Sequence, residues 1–142
     1  MDVKDLMIGD IVLYLDDTDL IAVNVVNIDG QGDVVRIQKA DGHIFNVIAK
    51  SLIPSPLKAD ILKSNGFEDD VNSGWLEFKE YVSQAFQDGD VVIDIELKPN
   101  SESKFGIWEI KGFGQFHAYI RFFHQLQHCM KIIGFKKEFV LN

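Results

Sequence analysis

The first fifty positions fall into short, largely apolar runs that read as strands, and turn chemistry parts the runs. Ile11–Leu15 follows Gly9-Asp10 and stops at Asp16-Asp17-Thr18-Asp19. Ile21–Ile28 is rich in β-branched residues and is broken by Asp29-Gly30-Gln31-Gly32-Asp33. Val34–Gln38 and His43–Ile48 flank Asp41-Gly42, a dipeptide suited to the positive φ of a tight hairpin. Four short strands at this spacing predict a small barrel or a strongly bent sheet.

Ile53-Pro54-Ser55-Pro56 then interrupts strand pairing, because proline carries no backbone donor. The same segment reads as a helix start. Ser55 is placed to cap it, Pro56 fits its first position, and Leu57, Ile61 and Leu62 form its apolar stripe. Gly66 supplies the left-handed residue that ends such a helix, with Phe67 packing back on Leu62. Strands return over Trp75–Val82, Val91–Lys98 and Phe105–Lys111, joined through Asp88-Gly89 and Pro99–Lys104. In the middle one Val91, Ile93, Ile95 and Leu97 share a face, and Asp94, Glu96 and Lys98 share the other. From Tyr119 to Ile133 the apolar spacing changes to three and four, which predicts a helix over 120–133. Phe135–Leu141 reads as a terminal strand. The fold expected is α+β. An SH3-like small β unit at 1–53 precedes a helix–antiparallel meander–helix–strand unit at 54–142. The opening Leu6-Met7-Ile8-Gly9-Asp10-Ile11-Val12 resembles the entry strand of SH3-like barrels, a fold that carries many functions.

Composition narrows the class. The chain has 142 residues, 46% of them hydrophobic, enough for a core without disulfides. Its single Cys129 fits a reducing compartment, and the start lacks the pattern of a secretory signal, so a cytoplasmic setting is expected. No apolar run approaches the roughly 20 residues needed to span a bilayer. The net charge of -8 argues against direct nucleic-acid binding. Its layout is uneven: 4 basic and 9 acidic side chains lie in 1–56, 3 and 10 in 57–97, and 7 and 3 in 98–142.

The sharpest chemical pattern is His124-Gln125-Leu126-Gln127-His128. Histidines four apart share a helix face and can chelate a metal, with His117 or a carboxylate as a third ligand. Gln125 stands where a zinc-protease helix carries its general base, and an amide cannot take that proton. Cys129 lies on the apolar stripe, about 100° around the helix from His128, and reads as core. Glu77, Asp94, Glu96 and Glu109 fall on strand faces with Lys79, Lys98 and Lys111, a mixture that ion pairing explains. Asn27, Asp29 and Asp33 lack the spacing of a calcium loop, and Gly112-Phe113-Gly114 lacks a dinucleotide fingerprint. Trp75, Trp108, Phe113 and Phe116 are candidates either for an exposed anchor surface or for core.

Two stretches, Leu52-Ile53-Pro54-Ser55-Pro56-Leu57 running to Asn65-Gly66-Phe67 and Phe123-His124-Gln125-Leu126-Gln127-His128, join the Leu6–Asp10 opening in a familiar order. Together they resemble a family of short uncharacterised Bacteroidetes proteins with an L-x-I-G-N start, a P-I-P-L segment and a V-H-Q-L-Q-N helix. The family is similar to genes of prophages and other mobile elements and has no established activity. The sequence departs from its pattern at Asp10, Ser55, Phe123 and His128. The function expected is a non-enzymatic protein-binding or accessory module of a mobile element, without a cofactor. Its partner is an unidentified protein or a second copy of the chain. Arg121, His124, Gln125, His128 and Lys131 on the helix's polar face are its expected contact residues. The alternatives are a metal-dependent activity at His124 and His128, and an acidic nucleic-acid mimic.

Overall fold

The structure is a computed structural model that describes residues 1–83, 90–99, 106–112 and 116–140. Among the described residues it is a mixed fold of two five-stranded antiparallel sheets and two α-helices. The chain divides into two compact units, neither continuous in sequence. Unit 1 is Met1–Pro56, Phe122–His128 and Phe139–Asn142, and unit 2 is Leu57–Arg121 and Cys129–Glu138.

Unit 1 holds β1 (Ile11–Asp16), β2 (Asp19–Asp29), β3 (Val34–Gln38), β4 (Ile44–Ile48) and β5 (Leu52–Ile53), in the order β4-β3-β2-β1-β5. The expected strands are present, and the turns between them are those the sequence marks. Gly42 takes φ +92° in the β3–β4 hairpin, and a register shift between Val25 and Asn27 bends β2. Alternation sends Val12, Val23, Val25, Val35, Ile37 and Leu52 to one face, where they form a buried cluster with Leu6 and Ala49. Among the described residues no pairing joins β4 to β5, so both end the sheet.

Unit 2 holds α1 (Ala59–Ser64) and the sheet β10-β9-β8-β7-β6, built from β6 (Glu68–Asp69), β7 (Leu76–Ser83), β8 (Asp90–Pro99), β9 (Trp108–Gly112) and β10 (His117–Ile120). Leu97 faces Leu76 on one side and Ile110 on the other, and all three are buried with Ile93 and Ile95. The C-terminal end of α1 follows the sequence reading. Gly66 has φ +96°, its N–H donates to Lys63 O at 3.1 Å, and Phe67 N–H donates to Leu62 O at 3.0 Å. This is the paired closure of a Schellman motif, and it buries Leu62 and Phe67.

The start of α1 differs from expectation. The residue before its first turn is Lys58, and no side chain caps it. Ser55 is buried and its carbonyl accepts from Phe123 N–H at 2.9 Å, while Pro56 forms a bridge with Phe122. These bonds hold 55–56 extended, so the helix begins three residues after Pro56. The last helix, α2 (Phe123–Ile133), is also shorter than 120–133, because His117–Ile120 pairs with β9 instead. The terminal strand expected at Phe135–Leu141 does not form over the described 135–140. Phe135 and Phe139 are buried, but Lys136 N–H donates to the Glu80 carboxylate at 2.8 Å rather than to a strand. Alternation makes a segment extended; pairing also needs an open edge. The connections expected at Asp88-Gly89 and over most of Pro99–Lys104 lie outside the described residues, as do Phe105, Phe113 and Gly114.

Candidate functional site

The strongest polar cluster belongs to unit 1 and begins at the turn before β1. Gly9, at φ +95°, donates its N–H to Val25 O at 2.7 Å, and Asp10 N–H donates to Met7 O at 3.1 Å. This turn places the Asp10 side chain at 0% exposure. Its Oδ2 accepts Met7 N–H at 2.8 Å, and its two oxygens lie 2.9 and 2.8 Å from His128 Nε2. An ionised carboxylate only accepts, so His128 carries its proton on Nε2. The residue before it adds a second clamp. Gln127 donates to Gly9 O at 3.0 Å and accepts from Ile11 N–H at 2.9 Å. Gln127, through the Gly9 and Ile11 backbone, and His128, through the Asp10 carboxylate, thus bind the first turn and a half of α2 to Gly9–Ile11 over a sequence gap of more than 110 residues.

His124 sits one turn back, its ring centroid 5.6 Å from that of His128 and stacked on Phe122 at 5.9 Å. It is 4% exposed, and its Nδ1 is buried with no hydrogen-bond partner. Burial holds this imidazole below the ordinary histidine value of 6.5, against the pull of the Asp10 charge. A pocket of about 580 Å³ opens beside the cluster, lined by Lys4, Asp5, Met7, Phe122, His124 and His128 among others.

The helix face expected to meet a partner is therefore divided. His124 is buried and His128 is committed to Asp10. Gln125 lines the pocket and accepts Phe122 N–H at 3.1 Å, which caps the helix it belongs to. Arg121 and Lys131 are exposed and belong to unit 2. The metal reading also loses its geometry. Among the described residues the three-donor group with ligand atoms within 4.8 Å is Asp70, Glu77 and Glu96, and it includes neither helix histidine. His117, one of the two kinds of third ligand expected, is 2.9 Å from Glu109 in unit 2. Glu77 and Glu96 already carry lysines, Lys79 at 3.2 Å and Lys111 at 3.3 Å. Cys129 is half-buried, and desolvation pushes its thiol up, away from the thiolate a nucleophile needs. Asp29 closes its own turn by accepting Gln31 N–H, which accounts for it without calcium.

The aromatics separate. Trp108 is buried and its indole N–H donates to Leu57 O at 3.0 Å, so it is core. Trp75 is half-buried beneath two ammonium groups, Lys111 at 4.2 Å and Lys98 at 5.1 Å from the ring centroid.

Sequence reasoning missed the outer face of the unit 1 sheet. Register places Ile53 opposite Leu13, Leu13 opposite Ala22, and Leu15 opposite Leu20, all on the face away from the core. Ile44 and Ile48 lie on that same face through Gln38 and Val34. Leu15, Leu20, Ile44, Ile48 and Ile53 are 41–61% exposed. The signal was present in the sequence: β1 reads Ile-Val-Leu-Tyr-Leu, apolar at every position, where a half-wet strand should alternate. No family model, curated protein or solved structure matches this chain.

Proposed function

We propose that the protein is a non-enzymatic protein-binding or accessory module, and that it binds through the outer face of the unit 1 sheet. The observation that carries this is the row Ile53–Leu13–Leu15–Leu20, apolar on the sheet face away from the buried cluster, with Ile53, Leu15 and Leu20 exposed and Leu13 half-buried. Contiguous exposed apolar surface of this kind marks interaction sites. The row ends at the Asp16-Asp17-Thr18-Asp19 hairpin. Asp16 is neutralised by Lys39 at 2.9 Å, while Asp17 and Asp19 are exposed. The complementary partner is a protein segment with apolar side chains beside Lys or Arg. The strand order, the long bent β2 and the 3-10 turn at Ala49–Ser51 before β5 support an SH3-like small barrel as the scaffold. A mobile-element, intracellular setting rests on the family resemblance of the Leu6–Asp10, Leu52–Phe67 and Phe123–His128 landmarks. No helix among the described residues is long and apolar enough to cross a membrane.

Selection of random peptides on the immobilised protein tests the reading. Apolar–basic peptides should be enriched, and Leu15→Ser or Leu20→Ser should weaken their binding by about tenfold or more. Peptides that bind both variants as well as the parent would remove this face as the site.

The metal alternative has no supporting geometry at His124 and His128. The acidic-mimic alternative meets a sheet face in unit 2 where Glu77 and Glu96 are already paired with Lys79 and Lys111.

A further inference from the structure

Antiparallel sheets expose backbone donors and acceptors at their end strands, and proteins blunt such edges with short strands, prolines or charges. Three of the four ends here are blunted. β5 has two residues and runs into Pro54 and Pro56; β6 is Glu68–Asp69; β10 has four residues and carries His117, paired with Glu109. β4 has none of these devices. It reads Ile44-Phe45-Asn46-Val47-Ile48, without charge or proline, and among the described residues it pairs with β3 alone.

The free edge can be read atom by atom. Lys39 N–H donates to His43 O and Ala49 N–H to Asp33 O, so the odd-numbered residues of β4 point their backbone groups toward β3. Ile44, Asn46 and Ile48 therefore aim their N–H and C=O groups outward. The Ile48 carbonyl confirms the parity, since it accepts from Ser51 Oγ rather than from β3. We propose that β4 pairs antiparallel with β4 of a second copy, about a two-fold axis at Asn46, joining two unit 1 sheets edge to edge.

The strand fits itself. A two-fold at Asn46 sets Ile44 against Ile48 on the outer face and Phe45 against Val47 on the inner one, so apolar meets apolar at each position. Asn46 meets Asn46 and can exchange two backbone hydrogen bonds with it, and in each Ile44–Ile48 pair the Ile48 N–H can donate to Ile44 O while the Ile48 carbonyl stays with Ser51 Oγ. Ile44 and Ile48 are 52% and 61% exposed, so pairing covers surface that is now wet. Like charges would oppose self-association of a chain at -8, and β4 contributes none of that charge. Beyond the strand, exposed Lys50 of one copy falls beside the Asp41–His43 turn of the other, a favourable charge match. A second copy is thus a better occupant than a foreign strand, which would have to reproduce this pattern.

Sedimentation equilibrium of the full chain over a hundredfold range of concentration reads the proposal directly. A monomer–dimer equilibrium is expected. Asn46→Pro deletes both central donors without touching the β3 ladder and should abolish the dimer. Asn46→Lys sets two ammonium groups on the axis and should weaken it by about tenfold or more. Leu20→Ser, in the peptide-binding row, should leave the dimer constant unchanged, so the two proposals fail separately. Should both Asn46 variants lose their fold by circular dichroism, Asn46→Cys on a Cys129→Ala background decides. Oxidation should then give a disulfide-linked dimer, because Cα atoms in such a pair lie about 5.5 Å apart. A monomer at every concentration, a dimer indifferent to the folded Asn46 variants, or no cross-link would overturn the proposal.

Discussion

The two sheets share strand number and antiparallel pairing but present opposite outer faces. In unit 2, register runs Glu68, Glu77, Glu96, Lys111 and His117 across five strands, with Lys79 opposite Asp94 and Lys98 opposite Glu109. Glu77 and Glu96 face each other directly, and the arrangement is tolerated because each carboxylate has a lysine within 3.3 Å. In unit 1 the outer face instead exposes leucine and isoleucine on β1, β2, β5 and β4, with Asn24, Arg36, Gln38 and Asn46 between them. A charged, internally paired face is finished when the unit folds. An apolar face left open still has favourable burial to gain, at roughly 25 cal/mol per Å² removed from water. The contrast places the search for a partner on unit 1 and leaves the many acids of unit 2 with a role in solvation and pairing.

The comparison breaks first at the cores if the units are not equally built. Ile37 in unit 1 and Ile95 in unit 2 are both fully buried, and Ile37→Ala or Ile95→Ala should each cost about 2–5 kcal/mol in urea unfolding. A cost below about 1 kcal/mol in either unit would mean that its sheet packs loosely. Next in size, Asp10→Asn removes the charge that orders His128 and should destabilise by about 1.5–3 kcal/mol, more than the same change at the exposed His117–Glu109 pair of unit 2. In unit 2, Gly66→Ala should cost about 1–2 kcal/mol, because a left-handed φ strains a residue that carries Cβ.

A pH titration reads His124. His124 in unit 1 is held below 6.5 by burial, so below that pH the unfolded chain takes up a proton that the folded one resists. Stability from this group is complete above about pH 6.5 and is lost as pH falls toward the lowered folded value. His124→Phe should therefore flatten the fall of the urea midpoint in that window; an unchanged slope would assign the effect elsewhere. The smallest effects belong to the outer faces. Lys111→Ala should change stability by less than about 1 kcal/mol and do so less at high salt, since its ion pair is exposed. Leu20→Ser should be equally mild for folding, and its effect should appear in binding instead.

Most strands, the β3–β4 turn and the Gly66 closure were legible in the sequence, because each follows from neighbours within a few residues. Alternation at Ile93, Ile95 and Leu97 selects a face, Asp41-Gly42 selects a turn, and Gly66 admits a φ that other residues resist. What failed was decided at long range. β5, β6 and β10 are too short to show a period, and they exist because an edge lay within reach. Ser55 and Pro56 are plausible helix starters until Phe122 and Phe123 take their place in the bonding. His124 and His128 share a helix face, as spacing requires, yet one is buried and the other faces Asp10 at a separation of 118 residues. A periodic pattern specifies which side chains lie together on an element. It carries no information about what that side will meet, because the meeting depends on the path of a chain that passes between two units. Local pattern settles the longer strands and which side chains share a face; the long-range path of the chain closes the histidine face and leaves the leucine face open.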